Sequence, residues 1–273
     1  KFHATNYRPD NAVLVLAGDV KADDAFKLAQ SAFGSWKRGS AAATAETAKA
    51  AAPKPRVIVI DMPEAGQAGV VVGRQGIRRG DPAYLQAQVA NSILGGGYSS
   101  RLNQEIRIKR GLSYGAGSSF DARAGVGPFT ARTETKHESA AEVVNLVMTE
   151  MKRLSETDVQ DAELTPRKAV LIGGFAQSLE STAGIVNRIS SLALYGLPLS
   201  DINRYVSGVQ AVTAADVRKF ASSNVGGDVS VVVVGDAKQF VEPLKKQFSD
   251  VEVIPVAELD LSSPTLRVRK AKQ

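Results

Sequence analysis

Two hydrophobic periods organise this chain. Short apolar runs predict strands at Ala12–Leu16, Val57–Ile60, Gly69–Gly73 and within Val229–Phe248. Leu112–Phe120 and Phe129–Thr135 alternate as strands, joined through a Gly/Pro turn at Gly125–Pro128. Elsewhere the period is helical. Asp81-Pro82 is a helix start, after which Leu85, Val89 and Ile93 form one apolar face. Ser99 or Ser100 opens a short helix with Leu102 and Ile106 inward and Gly111 as its stop. Ser139 and Glu142 read as a capping box before Val143, Val147, Met151 and Leu154. Asp158–Ser178 is helical, with Pro166 expected to kink or divide it. Ser181–Leu194 and Ser200–Gln210 follow, and Thr213 with Asp216 forms a second capping box before Val217 and Phe220. Strands, then a helical block, then a return strand predict an α+β fold: an antiparallel or mixed sheet with helices packed on one face.

The plan of apolar strand, Gly-Asp and amphipathic helix occurs twice, at Gly18-Asp19 and at Gly235-Asp236. A repeat on that scale is nearly as long as the chain. Residues 1–38 then read as the end of a first domain whose body precedes Lys1, and 56–256 as a complete second domain. Residues 39–55 form an Ala/Thr/Lys-rich linker and 257–273 a basic tail with a solvated end.

Composition narrows the chemistry. Cysteine is absent, which excludes disulfides and thiolate metal sites. No apolar run is long enough to span a membrane. The net charge of +6 is spread along the chain instead of forming a basic stripe interleaved with aromatics, so a nucleic-acid role is not expected. Gly95-Gly96-Gly97 follows a helix and lacks the lysine of a phosphate loop, so it reads as a tight turn needing positive φ. The two histidines are His3 and His137. His137-Glu138 begins like H-E-x-x-H, but no second histidine follows. His137 is expected as an exposed polar residue, and no metal site is expected in this chain.

The sharpest chemical signal is Arg107-x6-Tyr114. Arg107 lies on the short helix and Tyr114 on the strand expected after Gly111, which can bring guanidinium and phenol over one cleft. An arginine fork can hold a peptide carbonyl or carboxylate. A tyrosine hydroxyl can donate to a developing oxyanion. The plain alternative is a surface arginine and a sheet tyrosine.

The stretch from Asn91 to Leu102 (NSILGGGYSSRL), then Ile106-Arg107 and Gly111–Gly115 (GLSYG), resembles the second-half signature of the pitrilysin family, also called the insulinase or mitochondrial processing peptidase family. Further matches run in the family's order over nearly the whole chain: Tyr7–Asn11 with Gly18-Asp19, Gln67, Glu163-Leu164 with Lys168, and Tyr195–Pro198. The resemblance implies two related α/β halves around a chamber, with zinc on an H-x-x-E-H helix of the first half. It implies that Arg107 and Tyr114 hold the substrate and stabilise the tetrahedral intermediate. The helix Asp81–Leu94, counterpart of the zinc helix, offers Gln86, Gln88 and Asn91 and no histidine. Zinc is therefore expected upstream of Lys1 or on a partner subunit. The implied function is part of a zinc-dependent endopeptidase acting on peptides, inactive as this chain alone, dimeric, and periplasmic or else cytoplasmic. The alternative is a catalytically silent scaffold subunit of the same fold. Binding of an extended peptide by strand addition to a sheet edge is a further expectation.

Overall fold

The protein is described from a computed structural model covering residues 2–37 and 54–268. The expected linker lies almost wholly outside the described residues. Two compact units are present, one within Lys1–Ala50 and Val170–Gly208, the other within Ala51–Ala169 and Val209–Gln273.

The second unit is built on a six-stranded mixed sheet. Its strands are β1 (Val57–Asp61), β2 (Ala68–Gln75), β3 (Ala116–Phe120), β4 (Pro128–Thr135), β5 (Ser230–Gly235) and β6 (Glu252–Pro255), in the order β3-β4-β2-β5-β1-β6. The pairs β3–β4, β4–β2 and β2–β5 are antiparallel, whereas β1 pairs in parallel with both β5 and β6. Composition follows this split. Antiparallel β4 alternates, burying Phe129, Ala131, Thr133 and Thr135 while Arg132 and Glu134 face out. Such strands cover one face and leave the other open. The parallel strands read as unbroken apolar runs because both faces are covered. Val59, Val231 and Val233 are fully buried. Ile58, Ile60 and Ile254 pack on the opposite face with Val232, Val234, Leu259 and Leu266.

Helices α3 (Tyr84–Leu94), α4 (Ala140–Glu156) and α8 (Ala214–Asn224) cover the first face and pack on one another. Val89, Ile93, Val143, Val147, Met151, Leu154, Val217 and Phe220 point into this layer. Each such side chain contributes on the order of 2 kcal/mol of burial free energy. The short α9 (Val241–Gln247) follows β5 and buries Leu244. The α+β architecture with a mixed sheet is the one the periodicities predict.

The first unit holds α1 (Phe2–Asn6), α2 (Ala22–Phe33), α6 (Thr182–Leu194) and α7 (Asp201–Ala211) up to Gly208; the boundary between the units falls inside α5 (Asp161–Ser178). Within it, Phe175 stacks on Tyr205 at 4.3 Å between centroids, and Arg188 lies 4.8 Å from the Phe175 ring. Pro166 sits in the early part of α5 without ending it. Among the described residues no single helix is long and apolar enough to cross a membrane.

Four local expectations are corrected. Ala12–Leu16 forms no strand: Val13, Leu14 and Leu16 are exposed and pair with no strand among the described residues. Ser139 makes no capping bond, because it closes a 3-10 turn at φ −92°, ψ −6°, away from the extended geometry an N-cap needs. His137 is half-buried, with Nε2 2.9 Å from the Ala65 carbonyl and Nδ1 accepting from the Asp236 amide at 3.2 Å. It ties three loops together. Finally, Arg267, counted with the solvated tail, donates to Glu252, Glu258 and the Val253 carbonyl. Lys270 and Lys272 lie outside the described residues.

Candidate active site

The chain from Leu94 to Phe120 wraps one edge of the sheet. The glycine run lets it do so, though not through positive φ, which none of Gly95, Gly96 or Gly97 adopts. A Cβ on Gly95 would stand 2.2 Å from the Ser118 amide nitrogen. That absent side chain admits the backbone of Gly95 to the β3 edge, where its carbonyl accepts from Ser118 at 3.1 Å.

The helix after it is wider than an α-helix. Arg101 and Leu102 begin it in α form, but Asn103–Ile108 is a π-helix, with the Lys109 amide donating to the Gln104 carbonyl at 2.9 Å. Widened turns of this kind recur at functional sites. Leu102 and Ile106 anchor it in the core and leave Arg107 on the half-exposed side. Gly111, at φ 63°, then takes the left-handed conformation that ends a helix.

Tyr114 is not on a strand, contrary to expectation. Thr133 Oγ1 donates to the Gly115 carbonyl at 2.7 Å and Thr135 Oγ1 to the Leu112 carbonyl at 2.6 Å. These buried hydroxyls take carbonyls on either side of Tyr114, and β3 begins only at Ala116. Tyr114 projects from the resulting bulge, 88% exposed.

The fold brings the two predicted residues together. The Arg107 guanidinium carbon lies 4.7 Å from the centre of the Tyr114 ring and 5.0 Å from that of Tyr98. Cation–π attraction of this geometry contributes roughly 0.5–1 kcal/mol at an exposed site. No carboxylate pairs with Arg107 among the described residues. The near acid in sequence, Glu105, is committed elsewhere: it accepts from Lys109 and from Arg110, the latter at 2.6 Å. Those hydrogen bonds, from Lys109 first, hold its carboxyl below the usual glutamate range against the opposing effect of burial. Among the described residues the Arg107 side chain therefore makes no ion pair or hydrogen bond, which leaves its N–H donors available to a ligand.

Beneath the site lies a buried polar layer that the sequence did not announce. Arg101 makes a two-bond pair with Glu163 at 2.8 and 2.7 Å. Arg167 donates to the Ser99 carbonyl, and Ser92 donates to the Arg167 carbonyl at 3.4 Å. Asn103 joins the two loops of the site, donating to the Tyr98 carbonyl and accepting from the Ala116 amide at 3.3 Å. Tyr98 lies inside the stretch carrying the resemblance and Asn103 directly after its first part, but no periodicity marks them. Thr133 and Thr135 carry a faint signal as hydroxyls at inward positions of an alternating strand.

The residues present do not fit a zinc ion. No three His, Asp or Glu side chains come together as a metal set among the described residues. Both ring nitrogens of His137 are occupied by backbone groups, and His3 stacks on Tyr7 at 5.0 Å. On α3, the Asn91 side chain accepts from Ser118 Oγ at 2.8 Å.

A family model described as the peptidase M16 inactive domain matches residues 1–171. An uncharacterized zinc protease of Streptomyces coelicolor is 30% identical over 87% of this chain and 53% of its own length. A non-peptidase homolog from Helicobacter pylori is 25% identical over 83% of this chain and 52% of its own. The crystal structure of a peptidase M16 inactive domain from Pseudomonas fluorescens superposes with a TM-score of 0.73 at 30% identity, covering 80% of this chain and 52% of that one. The chain thus spans about half the length of the curated relatives it matches. With its six-stranded mixed sheet and the family model running through both Arg107 and Tyr114, the chain belongs to the peptidase M16 inactive-domain family.

Proposed function

We propose that this chain is the substrate-holding part of a zinc-dependent endopeptidase whose zinc is bound outside it, on a preceding half of the same protein or on a partner subunit. The observation that carries the proposal is the Arg107 guanidinium, without a carboxylate partner among the described residues, lying 4.7 and 5.0 Å from the rings of two exposed tyrosines. Arg107 holds a peptide carbonyl or carboxylate through its N–H fork. The Tyr114 phenol donates to the oxyanion that develops when the peptide carbonyl is attacked, a form of stabilisation that grows toward the transition state. The names of relatives as zinc proteases support the reaction class.

Strand addition to this chain is disfavoured as the binding mode. The outward amides of Ala116 and Ser118 on the β3 edge are already taken by Asn103 and Gly95. At the other edge, β6, the Val253 carbonyl is taken by Arg267.

A second reading is favoured by the non-peptidase homolog among the relatives: a silent scaffold of the same fold. The test is reconstitution. The isolated chain should cleave no internally quenched peptide. Its addition to the zinc-bearing half should produce hydrolysis that a chelator abolishes. Chelator-sensitive cleavage by the chain alone would refute the division of labour, and an inert reconstituted complex would favour the scaffold.

A further inference from the structure

We propose that Tyr98 is a third substrate-contacting residue of this site, a platform selecting peptides with an aromatic or large apolar side chain beside the group that Arg107 holds. The inference rests on the reading of Arg107 given above.

Tyr98 is 64% exposed, so its ring adds little to the core. Its side chain makes no hydrogen bond among the described residues. Yet the loop beneath it is fastened by buried polar groups. Asn103 binds its carbonyl, Arg167 binds the next carbonyl at Ser99, and Ser100 Oγ donates to Gly97 at 2.6 Å. Of these, Asn103 and Arg167 are 4% and 9% exposed. An exposed, rotatable tyrosine needs no such support for folding. Held this way, the backbone at Tyr98 keeps a fixed place, from which the ring reaches to 5.0 Å from the Arg107 guanidinium.

The geometry gives that place a chemical meaning. The Tyr98 and Tyr114 rings both lie against the guanidinium, which limits its rotation and leaves its N–H edges for the ligand. Each ring engages the cation and still exposes much of its surface. An apolar ligand side chain beside the bound carbonyl gains contact with the Tyr98 ring, and an aromatic one gains stacking as well. A small polar side chain gains neither. The two tyrosines thus divide the work, with the Tyr114 hydroxyl facing the chemistry and the Tyr98 ring facing the side chain.

The experiment uses the reconstituted two-half enzyme and internally quenched peptides that differ only by Phe or Ser at the residues flanking the cleaved bond. Tyr98→Ala should lower kcat/KM for the Phe peptide by about 10-fold, mainly through KM, and change the Ser peptide less than about 3-fold. Tyr98→Phe should retain the preference, because the ring and not the hydroxyl provides it. An equal loss on both peptides, or no loss on either, overturns the proposal. So does a Tyr98→Phe variant that behaves like Tyr98→Ala. Arg107→Ala run in parallel separates the two levels. If it weakens cleavage while Tyr98→Ala leaves the preference intact, only the Tyr98 inference fails. If Arg107→Ala has no effect, the reading of the site fails and takes the inference with it.

Discussion

Arg101 and Arg107 lie on the same turn-rich segment and are put to opposite use. Arg101 is 7% exposed and closes a two-bond pair with Glu163. Arg107 is half-exposed, rests on two aromatic rings and meets no carboxylate among the described residues. A buried guanidinium without a partner is too costly to keep, so Arg101 must be matched. An arginine whose nearest acid in sequence is drawn off by Lys109 and Arg110 is free to match something that arrives later. On the proposed reading, the contrast separates a residue that holds the site from one that acts in it.

The largest effect expected from this contrast is on stability. Arg101→Ala should destabilise the protein by roughly 3 kcal/mol, since it strands a partly buried Glu163, whereas Arg107→Ala should cost only about 1 kcal/mol, the order of its ring contacts. Denaturant midpoints at constant m-value measure both. Equal losses would make Arg107 a structural arginine.

Thr133→Val and Thr135→Val come next. Each removes the donor to a carbonyl beside Tyr114 and should cost about 1–2 kcal/mol. In the reconstituted enzyme each should also lower kcat more than it raises KM, because Tyr114 loses its placement while Arg107 does not. A purely structural role would show the stability loss with unchanged kcat.

The smallest effect concerns Glu105. Its carboxyl is held below the usual range by hydrogen bonds from Lys109 and Arg110, so its contribution is fully present above the ordinary glutamate pKa. That contribution is lost as the pH falls through the lowered value. Glu105→Gln should therefore cost only about 0.5 kcal/mol near neutrality and flatten this part of the acid limb of the stability profile. The substitution also sharpens the comparison. With Glu105 neutral, kcat/KM should be unchanged if Glu105 never competes with substrate for Arg107.

How much of this was legible depended on whether a local pattern met its partner. The inward faces of α3 and α4 and the mixed sheet follow from periodicity, because burial acts on side-chain spacing. The Gly-Asp repeat shows the limit. Its second copy is a fully paired strand at the centre of the sheet; its first, Ala12–Leu16, has the same pattern and no strand. Apolar residues grant a strand only where a neighbouring edge supplies hydrogen bonds. The two capping boxes divide similarly. Thr213 and Asp216 form theirs, with the Thr213 hydroxyl accepting from Asp216 at 3.1 Å, because Thr213 is extended; Ser139 is not. At the site, spacing singled out Arg107 and Tyr114, whose side chains the fold brings together, but it left Tyr98 and the threonines unmarked. Their roles arise from contacts between a glycine loop, a π-helix and a strand distant in sequence.

The measurement that tests the central claim most directly is the single-turnover rate of peptide cleavage by the zinc-loaded, reconstituted enzyme carrying Tyr114→Phe. The side chain is exposed, so assembly and stability should match the parent. The account predicts a rate reduced about 10²-fold or more, with peptide binding little changed, as for loss of one donor to an oxyanion. A Tyr114→Phe enzyme that turns over at the parent rate would contradict it and leave this chain a scaffold.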